Sequence, residues 1–416
     1  MRASRSIWDM GELPFHVGPL PRPDVAGFPE RLPFRVGFDD ALELFTQVYD
    51  PRTMDTLREV YARGSQLGIP MGDQGLGKAY AEDFQGVIRQ WLGDDLSGIR
   101  LLEVGCGTGH LLGALAAAGA RVSGVEPDPR CAAALAERGI PVATCALEDF
   151  EPRDTFDCIV HYCVLEHAPD PLDFLARQRA LLSDGGRIVC AVPDCGEALR
   201  AGDVSIFVHQ HWSYFTAASF RRLAVAAGLR MVAARRAKVG GLLYASMVAA
   251  GDPTSVLAGG SRPAAMADDA QTDSEQADPG EHPKALVEPG DAGVRPEELV
   301  ERGQRALARF GAYVRAKAAE ASRLGIYCPT RAINYVPPGD PVLSAPRLFD
   351  DAPALLGKFV PPFVCPIESG AGLERDGVDE VLIMSRSFGA AIERAIRARP
   401  LDPMPRIRHI DDVLRG

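Results

Sequence analysis

Leu101-Leu102-Glu103-Val104-Gly105-Cys106-Gly107-Thr108-Gly109-His110 decides the reading of this chain. A buried-looking strand runs into three glycines at alternate positions, and a helix over Leu111 to Ala118 follows. Such a turn lets a ligand approach the backbone. In a doubly wound sheet the first strand-to-helix turn lies at the topological switch point, where ligands meet the carboxyl ends of the strands. A second strand ends in Val125-Glu126-Pro127-Asp128. This puts an acid roughly 20 residues past the first glycine, able to accept hydrogen bonds from both hydroxyls of a ribose. A dinucleotide site would space its glycines GxGxxG, so that a pyrophosphate meets the helix N-terminus. Here the spacing is GxGxG, and Glu103 stands where a phosphate would not be welcome but a cationic amino-acid or sulfonium ligand is tolerated.

Outward from the turn, apolar strand-like runs alternate with helical ones. Upstream lies a helical pattern from Leu76 to Leu92. Downstream are strand-like runs at Ala120 to Val125, Pro141 to Cys145, Phe156 to His161, Gly186 to Val192, Leu229 to Ala234 and Leu242 to Ala249. That alternation predicts an α/β, Rossmann-like doubly wound sheet with helices on both faces, spanning residues 76–250. Residues 1–75 read as an N-terminal cap with one helical stretch, Phe38 to Ala62, interrupted at Pro51. Residues 251–295 hold nine acidic and three basic residues and no aromatic, the composition of a disordered acidic linker. Residues 296–416 read as a smaller C-terminal α/β domain. It comprises a charged amphipathic helix from Pro296 to Leu324, strands at Gly325 to Cys328, Val360 to Cys365 and Glu380 to Met384, and a helix at Phe388 to Arg397.

Composition narrows the function. The 416 residues are 46% hydrophobic and 24% charged, with a net charge of −11. That is ordinary globular usage, and no basic stretch suits nucleic acid. No apolar run is long enough to cross a membrane. The nine cysteines form no CxxC pair, which indicates a reducing cytoplasm with neither a disulfide framework nor a metal site.

The glycine turn with Glu126 resembles motif I of the class I S-adenosylmethionine-dependent methyltransferases. The resemblance continues through Ala146-Leu147-Glu148-Asp149-Phe150, Phe156-Asp157-Cys158-Ile159-Val160, Val164-Leu165-Glu166-His167-Ala168-Pro169-Asp170-Pro171 and Leu182-Ser183-Asp184-Gly185-Gly186-Arg187. It implies an S-adenosylmethionine cofactor held by Glu103, Gly105, Cys106, Gly107, Thr108 and Gly109. Glu126 and Pro127 would meet its ribose, Leu147, Glu148 and Asp149 its adenine, and Tyr162 and His167 would lie beside it.

Val208-His209-Gln210-His211-Trp212-Ser213-Tyr214-Phe215-Thr216 resembles the His-x-x-Tyr-Phe-Ser region of sugar C-methyltransferases acting on nucleotide-linked keto-deoxysugars. Leu348-Phe349-Asp350-Asp351, Gly357-Lys358-Phe359-Val360-Pro361 and Asp379 to Met384 resemble that family's last domain. This resemblance implies a general base on the loop, with His211 the first candidate because a neutral imidazole accepts a proton at cellular pH, and His209 the second. Tyr61, Tyr80 and Tyr214 are candidates for lining the acceptor pocket. Three departures stand out. No cysteine precedes Cys106 where that family carries a zinc site, Val208 and Gln210 replace a tyrosine and an acid, and Tyr327 to Asn334 replaces a glycine-rich turn. The expected partner is therefore a small molecule, a nucleotide sugar first. O-methylation of a quinone, polyketide or sugar hydroxyl and a non-catalytic cofactor-binding scaffold remain open, as does the oligomeric state.

Overall fold

The computed structural model describes residues 4–16, 18, 20–22, 28–62, 71–251, 293–320, 322–336, 346–375 and 377–415. The linker expected at 251–295 lies, from 252 to 292, outside them. Among the described residues no helix is long and apolar enough to cross a membrane.

Three sheets organise the chain. The first is antiparallel and four-stranded: β1 (Arg5–Pro14), β2 (Arg31–Asp39), β3 (Leu44–Gln47) and β9 (Ser213–Tyr214), in that order. It corrects the helix expected from Phe38 to Ala62. Leu42, Phe45, Val48 and Tyr49 mimic a helical period, but Asp39 Oδ1 accepts from the backbone N–H groups of Ala41 and Leu42 at 2.9 and 3.0 Å and so closes a turn. Glu43 then takes φ 48°, a left-handed conformation incompatible with a helix. Only Pro51–Ala62 is helical, as α1, with proline at the first position where its missing N–H costs nothing.

The second sheet has the order β10-β11-β8-β7-β4-β5-β6, with β4 (Arg100–Val104), β5 (Arg121–Val125), β6 (Val142–Ala143), β7 (Phe156–Tyr162), β8 (Leu182–Pro193), β10 (Leu229–Arg236) and β11 (Leu242–Ala249). The strands from β6 to β8 are parallel, and β11 runs antiparallel between β8 and β10. Helices α2 (Gly75–Leu92), α3 (His110–Ala117), α4 (Pro129–Glu137), α5 (Pro171–Ala180), α6 (Gly196–Ala201) and α7 (Ala217–Ala226) form the crossovers and flanks. Separate apolar clusters fill its two faces, one around Phe84, Leu101 and Val160, the other around Leu102, Ile159 and Phe220. This is the expected Rossmann-like fold, and the order reverses between β4 and β7.

Beyond α8 (Pro296–Ala319) comes a third, wholly parallel sheet. Its order is β14-β13-β12-β15-β16, with β12 (Leu324–Tyr327), β13 (Arg347–Phe349), β14 (Ile367–Glu368), β15 (Glu380–Ile383) and β16 (Arg406–His409), and helices α9 (Gly389–Arg397) and α10 (Ile410–Arg415). The strand expected at Val360 to Cys365 is not formed. Pro361 and Pro362 lack the N–H groups that a ladder needs, and Val360 and Phe363 are buried from an irregular segment.

The N-terminal sheet shares a core with this third sheet. Trp8, Phe34 and Val36 belong to one cluster with Leu299, Phe310, Ile326 and Leu382. Gly303 on α8 makes that approach possible, because a Cβ there would lie 2.5 Å from the Trp8 ring.

Candidate active site

The glycine turn is built as its sequence demands. Gly105, Gly107 and Gly109 have φ of 69°, 50° and 72°, the left-handed region that side chains avoid. A Cβ on Gly105 would meet Val164 Cγ2 at 2.7 Å and one on Gly109 would meet Leu135 Cδ2 at 2.0 Å, whereas Gly107 faces open space. The outer glycines let the turn pack, and the middle one leaves backbone free for a ligand. Glu126 leans across this opening. Its carboxylate accepts from the Gly107 N–H at 2.8 Å and from the Asp128 N–H at 3.0 Å. Each oxygen thus retains a lone pair, the arrangement two vicinal hydroxyls require. Pro127 and Thr108 are exposed on the rim.

Glu103 is 5% exposed and its Oε2 has no hydrogen-bond partner. Burial holds its carboxyl well above the ordinary value. An unpaired buried acid under a glycine turn fits a cationic ligand portion, and an anionic one poorly. Cys106 is also buried, its Sγ against the backbone of Gly124, and burial pushes its thiol up, so it fills space. Leu147, in a single 3-10 turn after β6, packs into the core beside Val125, while Glu148 and Asp149 are exposed. Tyr162 ends β7, with ring centroids 5.1 Å from Phe84 and 6.5 Å from Tyr80.

The second part of the site gathers around His167. A 3-10 turn after β7, Leu165–His167, carries it next to the glycine turn, since Val164 touches Gly105. Its Nδ1 lies 2.9 Å from the Gln210 carbonyl, which makes that nitrogen the donor and leaves Nε2 as the basic atom. The Tyr61 hydroxyl is 3.4 Å from the same Nδ1. The His211 ring stands edge-on to His167 at 4.9 Å. Burial lowers the pKa of His167 to about 4, and burial, then the neighbouring His167 and Arg331, lower that of His211 well below 6.5. Both imidazoles are neutral at pH 7.

Glu166 had no assigned role at the level of sequence, although it stands inside the Val164 to Pro171 motif. It is 1% exposed, its Oε2 lacks a partner, and burial raises its pKa to about 8. Glu166, His167 and His211 each present one ligand atom, all within 4.8 Å of one another. Among the described residues this is the arrangement able to hold a metal ion, although no metal was expected.

Two expected site residues are corrected. His209 is 2% exposed, with Nε2 donating to the Leu32 carbonyl at 3.1 Å and its ring between Phe15 and Phe34. It is a core histidine of the N-terminal segment, without a free nitrogen facing the site. Tyr214 is 1% exposed and packs edge-on against Phe207 at 5.0 Å. Its hydroxyl lies 3.1 Å from the His211 carbonyl and 3.3 Å from that of Val208, so it steadies the loop rather than lining a pocket. Gln210 likewise turns its side-chain amide toward the His16 carbonyl at 3.5 Å and offers only its backbone to the site. Tyr61 and Tyr80 remain at the cavity.

The loop itself is fixed from several directions. Ser213 and Tyr214 pair with Thr46 and Phe45, the Gln47 N–H donates to the Trp212 carbonyl at 3.0 Å, and the Trp212 N–H donates to the Glu166 carbonyl at 2.7 Å.

Residues 78–234 match a family model described as a methyltransferase domain. This chain carries a class I methyltransferase domain. S-adenosylmethionine is the cofactor of that family. Over 100 residues the chain is 39% identical to a ubiquinone biosynthesis O-methyltransferase of Bradyrhizobium sp. (strain ORS 278), covering 23% of this chain and 40% of the relative. Over 96 residues it is 35% identical to a trans-aconitate 2-methyltransferase of Mycobacterium tuberculosis (strain ATCC 25177 / H37Ra), covering 23% and 37%. The chain thus spans about two fifths of the length of the curated relatives it matches. Among solved structures, it is similar to a magnesium protoporphyrin IX methyltransferase from Synechocystis PCC 6803 with bound S-adenosylmethionine. That similarity has 14% identity and a TM-score of 0.38, covering 49% of this chain and 99% of that one.

Proposed function

We propose that the whole protein transfers a methyl group from S-adenosylmethionine to a carbon of a nucleotide-linked keto-sugar. The observation that carries this reading is the continuous path from cofactor turn to base: Gly105 against Val164, His167 three residues on, and His211 at 4.9 Å from it. When bound, the cofactor supplies a sulfonium methyl open to in-line displacement. Glu126 would hold its ribose hydroxyls, the Gly107 backbone and Glu103 its amino-acid portion, and Glu148 and Asp149 would edge its adenine. His211, neutral at pH 7, would take the proton from the carbon beside the acceptor's carbonyl. The resemblance of its loop to that of the sugar C-methyltransferases supports the acceptor class.

A second reading is O-methyl transfer. It draws on the name of the ubiquinone O-methyltransferase relative and needs the same base for a hydroxyl proton. Calorimetric titration with S-adenosylmethionine and separately with NAD tests the cofactor, the former expected to bind at micromolar Kd, about −8 kcal/mol. Nucleotide-linked keto-sugars incubated in deuterated water then separate the readings. Carbon methylation requires exchange of the ring proton, and O-methylation does not. Cofactor binding without transfer to any acceptor would leave a scaffold.

A further inference from the structure

The third sheet repeats, at its own switch point, the geometry that the second uses for its cofactor. Its strand order reverses around β12, from which the chain proceeds to β13 and β14 on one side and to β15 and β16 on the other. In such sheets ligands settle at the carboxyl end of the strand where the order reverses. The residues there are Cys328, Pro329, Thr330 and Arg331. Cys328 adopts φ 60°, a left-handed conformation rare outside glycine, and Pro329–Arg331 form a single 3-10 turn.

This end of the third sheet faces the methyltransferase site. The junction is fixed by Asn334 Nδ2, which donates to the carbonyls of Val204 and Phe207 at 2.9 and 2.6 Å, and by Asp203, which accepts from the Tyr335 hydroxyl at 2.7 Å and from Arg386 Nε at 2.8 Å. The turn after β15 brings Ser387 Oγ to 3.2 Å from where a Cβ on Gly241 would lie, and Gly240 abuts the Tyr80 ring. From that position the positive charge of Arg331 acts on His211, Tyr80, Cys195 and Cys328, groups on four separate segments that surround the cavity.

Arg331 is exposed, and among the described residues it has no ion-pair partner. Its own N–H bonds back to the Cys328 carbonyl at 3.1 Å. The nearby acids are already used. Asp350 Oδ1 accepts from the Ala352 N–H at 2.9 Å, and Asp351 takes the Gly370 N–H at 2.9 Å and the Tyr327 hydroxyl. A lone guanidinium at the mouth of a cavity is a ready partner for a bidentate oxyanion.

We infer that Arg331 anchors the diphosphate of the acceptor, so that the third sheet holds the acceptor's anionic end while the second sheet holds the cofactor. The inference rests on the nucleotide-linked acceptor proposed above. It makes Arg331 a binding residue for the acceptor with no part in holding the cofactor, and His211 then meets a substrate tethered at its far end.

The test uses the full chain and titrates uridine diphosphate, inorganic pyrophosphate and citrate into the wild type, Arg331→Gln and Arg331→Lys, with S-adenosylmethionine as a separate titrant. Expected is a loss of at least tenfold in uridine diphosphate affinity for Arg331→Gln, partial recovery for Arg331→Lys, weakening with added salt, and unchanged S-adenosylmethionine affinity and thermal midpoint. Diphosphate binding indifferent to Arg331→Gln would overturn the anchor and leave the acceptor class standing. Citrate binding that depends on Arg331, with no diphosphate binding, would overturn the nucleotide acceptor and retain Arg331 as an anion anchor for a carboxylate. If neither anion binds the wild type, the inference fails.

Discussion

Removing the Glu126 carboxylate, as Glu126→Ala, tests the cofactor half of the site at its most exposed joint. The carboxylate now spends one lone pair of each oxygen on the N–H groups of Gly107 and Asp128, at 2.8 and 3.0 Å, and keeps one on each for a ribose hydroxyl. Hydrogen bonds to a charged acceptor contribute roughly 1.5–3 kcal/mol each, and part of the loss is recovered by water in this half-open position, so about 2–3 kcal/mol is expected for the pair. This corresponds to a Kd for S-adenosylmethionine raised roughly 30- to 150-fold in calorimetry. The fold should survive, because the two released N–H groups sit near solvent and Asp128 still caps α4 through the Arg130 N–H at 2.9 Å. Glu126→Gln should not restore affinity, since its amide NH2 would confront one of the two N–H donors. An alanine variant within twofold of wild-type affinity would refute the ribose role. A loss of binding matched by collapse of the thermal midpoint would make Glu126 a structural acid instead.

Asp203→Ala should cost about 3–5 kcal/mol in urea denaturation, because Arg386 would be left as an uncompensated cation at a nearly buried junction. His209, held at a pKa of about 4 by burial against an unfolded value of 6.5, gives a pH dependence of definite sign. Between those values the unfolded chain binds a proton that the folded one refuses, so stability is present above pH 6.5 and is lost as pH falls toward 4, by on the order of 3 kcal/mol. A His209→Leu variant measured by urea midpoint from pH 7 to 4 should show a shallower loss than wild type, and parallel curves would refute the account.

The parts of the chain that could be read from sequence were those where burial leaves one kind of residue. Strands such as Phe156–Tyr162 and Leu242–Ala249 are covered on both faces and appear as continuous apolar runs, and the cofactor turn needs left-handed backbone, which only glycine supplies freely. The N-terminal sheet was hidden for the opposite reason. β1 is mostly exposed and its register slips between Ser6 and Trp8 and again between Asp9 and Glu12, so no two-residue alternation survives. β16 reads Arg-Ile-Arg-His because it is an edge strand that pairs only with β15. In the site, His209 and His211 are indistinguishable as sequence. Which faces the cavity is decided by Leu32, Phe15 and Phe34, well over 100 residues away along the chain. Glu166 and Arg331 escaped notice because their significance is spatial: one is an acid without a partner, the other a cation delivered by a different sheet.

The two-residue strand β9 ties the segment that carries His211 to residues near the start of the chain. Its consequence is a difference in size between two minimal units. The stretch that can cradle a nucleoside ends where the second sheet ends, but the stretch that can orient a base must also include Phe45, Thr46 and the ladder behind them. Change in the N-terminal sheet is therefore a route by which evolution could retune the chemistry on the acceptor while the machinery for the methyl donor stays as it is.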